Sequence, residues 1–302
     1  MKEAYGYTLI VAASIIWGTM GIFGTLAFQY GIDPVTLTTL RILISSSTML
    51  IPIALFKREL LKVERKDLPL LLIFGILAVA FQRIAYFFTV DFTTPTTAAV
   101  LFYTYPAFVT IYAAVFLREK ITFTTVFAII LAFLGSVLVV RVYESSWLSL
   151  GLSGFVFGIL TSVLFALYFV LTKKLRNRYT NWTLLLYGDG IGAIALAPVL
   201  FLSFPKMAFY SQQLWVLILV IAWFPSLIAY LLFSHALKYV ESSKGSVLSV
   251  MEPLSASLFS SMFLGERFET LQILGVVLAL GGIVLLFYQQ RTNRITRLNS
   301  ET

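Results

Sequence analysis

The chain has 302 residues, 59% of them hydrophobic and 12% charged, with a formal net charge of +8. A soluble domain carries about 25% charged residues, so this composition excludes an ordinary water-soluble protein and leaves little room for a soluble domain. Cysteine is absent, which excludes disulfides and thiol chemistry without assigning a redox compartment.

Ten apolar stretches follow one another, near residues 5–27, 34–56, 68–90, 96–116, 121–140, 150–172, 182–202, 214–237, 245–264 and 268–288. Each is close to the roughly 20 residues a helix needs to cross a bilayer core of about 30 Å. Lipid offers no partner to an open backbone, so helices are the expected form. Strands of a membrane barrel would be about half as long and would alternate in polarity. The expectation is an all-α integral membrane protein with ten transmembrane helices. The first stretch reads as a span rather than a cleaved signal: it is long, its only basic lead is Lys2, and no small-residue cleavage site follows. Asp33-Pro34 and Asp67-Leu68-Pro69 place an N-cap and an early proline at the starts of the second and third spans, and Ser211 is a similar cap before the eighth.

The connectors alternate in charge. Lys2, Lys57, Arg58, Lys62, Arg65, Lys66, Arg118, Lys120, Lys173, Lys174, Arg176, Arg178, Lys238, Lys244, Arg291, Arg294 and Arg297 fall on one side; Arg141, Lys206 and Arg267 fall on the other. The positive-inside rule then puts both termini in the cytoplasm of a multi-pass protein of the cell (plasma or inner) membrane. This asymmetry accounts for the positive charge without a nucleic-acid partner.

An offset of 147 residues brings two segments into register without a gap. Val100, Leu101, Pro106, Phe116, Leu117 and Glu119 match Val247, Leu248, Pro253, Phe263, Leu264 and Glu266; Leu131, Ala132, Gly135, Val137 and Leu138 match Leu278, Ala279, Gly282, Val284 and Leu285. The repeat is strong for spans 4–5 against 9–10 and inferred for the rest. It divides the chain into a first repeat at 1–142, a second at 148–290 and a basic cytoplasmic tail at 291–302. Five spans is an odd number, so the second copy enters the membrane inverted. Inverted five-helix repeats are a signature of secondary transporters, with the substrate near the midplane and weakened helices in matching positions as the pointer to it. Pro106 and Pro253 are such a pair, each removing a backbone hydrogen bond one turn back. Kinks that merely pack a bundle would use the same prolines.

These residues carry a resemblance. I-I-W-G-T at 15–19, Arg41, the run from Pro106 to Leu117-Arg118-Glu119-Lys120, and its copy from Glu252-Pro253 to Leu264-Gly265-Glu266-Arg267 resemble the EamA family of the drug/metabolite transporter superfamily, over 5–288. The first corner departs from the family pattern, with Arg118 where glycine is usual. The resemblance implies ten helices, a central cavity built from spans 1–4 and 6–9, peripheral spans 5 and 10, and movement of small metabolites, often outward.

Ionisable groups inside spans are expensive and are functional candidates by default. Glu252 lies eight residues into the ninth span, roughly 12 Å deep at about 1.5 Å per residue. An apolar setting disfavours its charged form, so it suits a proton carrier or a seat for a substrate ammonium; a neutral acid or an arginine-paired one locking helices is the alternative. Its repeat counterpart, Tyr105, is also polar and also precedes proline. Arg41 and Arg83 lie in the outer halves of spans 2 and 3, and an arginine fork binds two oxygens of a carboxylate or phosphate. Arg41 can equally pair structurally or snorkel outward. Asp189 sits between Gly188 and Gly190, which either loosen the seventh span or let it pack closely. Trp17, Tyr86, Tyr103, Tyr105, Tyr168 and Tyr230 are candidate cavity aromatics, against the common role of such rings as interfacial anchors or filling. The lone His235 reads as packing. Glu119 and Glu266 read as structural, pairing with Lys120 and Arg267 at tight turns. Gly135, Gly275, Gly281 and Gly282 imply close helix contact, within one chain or between two copies in a homodimer.

The leading expectation is a secondary transporter, in the exporting direction, of a small amino-acid-like or organic-acid-like metabolite by alternating access around a midplane cavity, with lipid as surroundings and proton coupling through Glu252 as one mode. A non-saturable channel or a structural membrane protein is the competing class. An enzyme finds no support: there is no HExxH metal site, G-x-S-x-G elbow, histidine relay or Walker loop, and no cofactor or metal is expected.

Overall fold

The computed structural model describes residues 2–93, 95–141, 143, 151–207, 210–264 and 269–300, without the side chains of 91, 95, 96, 204–206, 264 and 289–300. In chain order its helices are α1 (Lys2–Gly18), α2 (Met20–Gln29), α3 (Pro34–Phe56), α4 (Leu68–Ile73), α5 (Gln82–Phe92), α6 (Pro95–Phe102), α7 (Tyr105–Leu117), α8 (Phe123–Val139), α9 (Leu152–Arg176), α10 (Asn181–Met207), α11 (Gln212–Ile221), α12 (Ala229–Ala236), α13 (Ser242–Leu248), α14 (Met251–Leu264) and α15 (Thr270–Ser300). Large apolar side chains face outward, among them Phe56, Phe123 and Phe201, each more than 80% exposed. In water such a surface would be an aggregation hazard; against lipid it is the expected one. Among the described residues, eight helices are long and apolar enough to cross a membrane. The expected fifth span forms α8, a shorter apolar helix, and the expected ninth is divided between α13 and α14.

The weakening expected from Pro106 and Pro253 takes the form of breaks rather than kinks. α6 stops at Phe102 and α7 starts at Tyr105; α13 stops at Leu248 and α14 starts at Met251. Each proline sits in the first turn of the second half, where its missing N–H is not needed. The carbonyls released at Leu101 and Phe102 accept from the Ser162 hydroxyl of α9 at 2.6 and 3.0 Å. The first span also breaks, at Thr19, whose amide and hydroxyl both turn back to Ile16 O.

A second matched feature was not read from the sequence, although Pro225 lies inside one of its two halves. Phe74–Phe81, between α4 and α5, and Ala222–Ile228, between α11 and α12, are π-helical. They occupy equivalent stretches under the 147-residue offset. π-helical turns are frequent at functional sites.

α8 and α15 pack along their length through small residues. A side chain at Gly135 would meet Gly275 O and Ala279 N at 2.6 Å; one at Gly282 would meet Ala128 O at 2.8 Å and, further off, Ala132 N. Under the offset, Gly135 corresponds to Gly282, Ala128 to Gly275 and Ala132 to Ala279, so the contact is the same read from either side. Three of the four expected close-contact glycines therefore pack within the chain, and Gly281 faces open space.

The caps divide. Asp33 accepts from Thr36 N at 2.9 Å and Ser211 from Leu214 N at 3.2 Å, as expected. Asp67 does not cap α4: its carboxylate is taken by the Tyr179 hydroxyl at 2.6 Å and by Arg178. Arg118, in the family's glycine position, adopts the left-handed conformation with φ 57°. The expected pairing of Glu119 with Lys120 is not what forms. Glu119 reaches across to the start of α13, where Ser242 N donates at 2.8 Å, Ser243 N at 3.2 Å and Ser243 Oγ at 2.9 Å. Two free amides at a helix start satisfy a carboxylate better than an exposed lysine in solvent does. Glu266 and Arg267, the corresponding corner, lie outside the described residues.

Candidate functional site

The charged residues gather where the broken and π-helical spans meet. Arg83 lies two residues beyond the first π segment, and Tyr230 two residues beyond the second. The Arg83 guanidinium carbon stands 5.6 Å from the centre of the Tyr230 ring. Its Nη2 is 3.8 Å from Asp189 Oδ1, both side chains being buried, and its Nη1 donates to Val79 O at 3.2 Å. Asp189 also accepts from Ser45 Oγ at 3.0 Å. α10 carries Asp189 without a break. The flanking Gly188 serves packing, since a side chain there would strike the Phe74 ring at 2.6 Å, while Gly190 is nearly open.

Arg41 lies within electrostatic reach of Arg83, Tyr230 and Asp189. Its Nη1 meets only the Met20 sulfur, at 3.7 Å. Trp17 packs edge-on to Tyr230, 4.8 Å between ring centres, and against Phe233 at 5.1 Å. Three buried donors in this group have no acceptor: Trp17 Nε1, Arg41 Nε and Arg83 Nε. Buried donors are nearly always satisfied, so three together mark an unusual place.

Glu252 forms a second centre. It is half-buried, and none of the ion pairs among the described residues involves it. Tyr86, Tyr103 and Tyr105 feel its charge. Neither arginine pairs with it. Gly18, in the I-I-W-G-T stretch, lets α1 approach closely: a side chain there would lie 2.2 Å from Ser255 Oγ and 3.0 Å from Glu252 O. Tyr86 is one turn beyond Arg83 on α5, so α1 and α5 each contribute to both centres.

Tyr105, the repeat counterpart of Glu252, is near enough to feel its charge but sits in a different packing environment. It is fully buried, wedged 4.9 Å from Phe165 and 5.6 Å from Phe169 between ring centres, with its hydroxyl 3.4 Å from Ser246 O. It belongs to an aromatic layer beside the charged residues. Sequence reasoning missed Ser45 and Met20, as well as the pairing of Arg83 with Asp189. The offset applied to Arg83 leads to Tyr230, one of the candidate cavity aromatics. An open groove of about 230 Å³ is lined by Tyr5, Leu9, Asn181, Ile228, Leu231, Leu232 and His235, and includes none of the charged residues of this centre. Among the described residues no group of three or more histidine, aspartate or glutamate side chains could hold a metal.

A family model described as the EamA-like transporter family matches this chain twice, over 4–141 and 152–288. The chain belongs to that family. An uncharacterized transporter of Archaeoglobus fulgidus is 30% identical over 93% of this chain and 96% of its own. An uncharacterized inner membrane transporter, YicL of Salmonella typhimurium, is 23% identical over 95% of this chain and 96% of its own. A solved crystal structure superposes with a TM-score of 0.79 over 95% of this chain and 98% of its own, at 16% identity, which shows the shared fold. The protein is a multi-pass membrane transporter.

Proposed function

We propose that the chain is a secondary transporter exporting a small polar metabolite, amino-acid-like or organic-acid-like, across the cell membrane. Ten crossings in two inverted five-helix repeats, at 1–142 and 148–290, with both termini cytoplasmic, would rock around a midplane site. The observation that carries the reading is the charge arithmetic of the centre. Arg83 is compensated by Asp189 at 3.8 Å, which leaves Arg41 as the uncompensated guanidinium and Glu252 as the uncompensated carboxylate. Arg41 takes the solute's anionic group, as a fork on two oxygens. Glu252 takes a proton or the solute's cationic group. Trp17 and Tyr86 supply flat apolar walls, and the breaks beside Pro106 and Pro253 let each half-helix move. The matched π segments and the α8–α15 contact support the two-fold relation.

The test is a thermal-unfolding screen of detergent-purified protein with amino acids, organic acids, nucleosides and sugars, on wild type and on Glu252→Gln at two pH values. A hit is then followed into proteoliposomes. Stabilisation of wild type but not of the variant, with saturable uptake, supports the reading. Uptake that never saturates makes the protein a channel. Absence of both stabilisation and uptake across the panel counts against transport of this solute class.

A further inference from the structure

The two broken spans are not packed alike. Under the 147-residue offset α6 corresponds to α13 and α7 to α14, so a structure with equal halves would pair α13 with α7 as it pairs α6 with α14. α13 packs against α7, and also against α8, α9 and α15. Among the described residues, no packing of that extent joins α6 to α14, α1, α8 or α15. The excess contact lies at the end of the bundle that carries Lys173, Lys244 and the corner after α7, the face whose connectors hold most of the basic residues.

Charged groups close that end. The Glu119 carboxylate holds the first amides of α13 through Ser242 and Ser243 and stands 3.9 Å from Lys173 Nζ of α9. Lys173 also donates to Val240 O. Lys244, on α13, pairs with Glu241 at 2.9 Å and with Glu3 of α1 at 3.4 Å. Glu3 in turn accepts from the Tyr7 hydroxyl at 2.8 Å. Inside this ring lies the aromatic layer of Tyr105, Phe165 and Phe169, with the Tyr105 hydroxyl reaching α13 at Ser246 O. Both layers are pinned to α13, the ring through Glu119 and Lys244 and the aromatic layer through Tyr105.

We propose that Glu119 is the latch of an inner gate, holding α13 against α7 so that the site is shut toward the basic, cytoplasmic face. The inference rests on the transporter reading above. Glu119 is a positioning residue: it touches no solute, and it sets the balance between the shut and open arrangements of this end. The latch sits on one repeat and its catch on the other, so rocking of the repeats is what parts them. Opening toward the basic face breaks three hydrogen bonds to one carboxylate.

The absence of cysteine makes the test direct. Spin labels are placed at Lys120→Cys, beside the end of α7, and Lys238→Cys, in the turn before α13; both positions are exposed. The pair distance is measured by pulsed electron resonance in nanodiscs. With Glu119 intact a single short distance is expected. Glu119→Ala raises the longer-distance population roughly tenfold, the scale of a lost charged helix cap. Glu119→Gln, which keeps the shape and loses the charge, gives an intermediate shift and decides the matter if the alanine variant does not fold. A folded variant with a lowered melting temperature and an unchanged distance distribution makes Glu119 merely structural and overturns the latch. A shifted distribution in a protein that carries no solute leaves the latch standing and removes the transporter reading instead.

Discussion

The Arg83 guanidinium lies 5.6 Å from the centre of the Tyr230 ring, and these two residues hold the same position in the two halves of the chain. An object with approximate two-fold symmetry brings equivalent residues together only on its axis. Arg83 and Tyr230 stand where the proposed two-fold relation of the halves would place such an axis. The π segments Phe74–Phe81 and Ala222–Ile228 end just before them, so the two irregular stretches lead to the same contact. Divergence at this one position, arginine against tyrosine, replaces two like groups by a cation and a π face, an attraction of about 0.5–2 kcal/mol.

Arg83 is an ion-pair partner before it is a ligand for solute. Removing it strands Asp189 as a buried charge. Arg83→Met is expected to destabilise by about 3–5 kcal/mol, whereas Arg83→Met with Asp189→Asn recovers most of the loss. Unfolding of the four proteins of this double-mutant cycle measures the coupling. Additive losses would show that Ser45 alone sustains Asp189 and would return Arg83 to the substrate.

Glu252 is expected to behave in the opposite way. No described side chain bonds its carboxylate, so Glu252→Gln removes no internal partner and should unfold within about 0.5 kcal/mol of wild type. The same change removes the titrating group, and pH dependence of solute-induced stabilisation should vanish with it. Pairing thermal unfolding with a solute titration at two pH values separates the effects. A large stability loss would reveal a structural partner, and an intact pH response would place proton exchange at another residue.

The membrane class and the helix count of most spans were legible because lipid imposes a length and a composition. The helix breaks were legible to within a few residues from Pro106 and Pro253, since proline has a local backbone consequence. Position in space was not. Tyr105 and Glu252 are equivalent in sequence, yet one is wedged among phenylalanines and the other is unpaired, because the two ends of the bundle are packed differently. The reach of Glu119 to Ser242 and Ser243 was equally hidden, as it joins residues more than a hundred positions apart. The first π segment left no trace in the apolar run F-G-I-L-A-V-A-F, where every register looks alike, while Pro225 inside the second was a local signal that went unused.

The α8–α15 contact predicts matched outcomes at matched sites. Gly135→Leu and Gly282→Leu each drive a side chain into backbone at 2.6–2.8 Å, and each should destabilise by about 2 kcal/mol or more through overpacking. Gly281→Ala, one residue away and facing open space, should gain about 0.5–1 kcal/mol from helix propensity. Urea unfolding in detergent ranks the three. Equal effects at 281 and 282 would mean that α15 is rotated relative to α8 from the arrangement described.

Arg118 offers the sharpest check on the first corner. Its φ of 57° places a side chain in the left-handed region, at a cost of roughly 1–2 kcal/mol for most residues other than glycine. The conformation is required, because the chain must leave α7 and bring the Glu119 amide back to Ala113 O at 3.1 Å while its carboxylate points to α13. Glycine meets that demand without strain but gains freedom in the unfolded chain, which offsets part of the benefit. Arg118→Gly is therefore expected to stabilise by about 0.5–1 kcal/mol, with a higher melting temperature and an unchanged Lys120–Lys238 label distance. A lower melting temperature would show that the Arg118 side chain makes a stabilising contact at the basic face that outweighs its backbone strain.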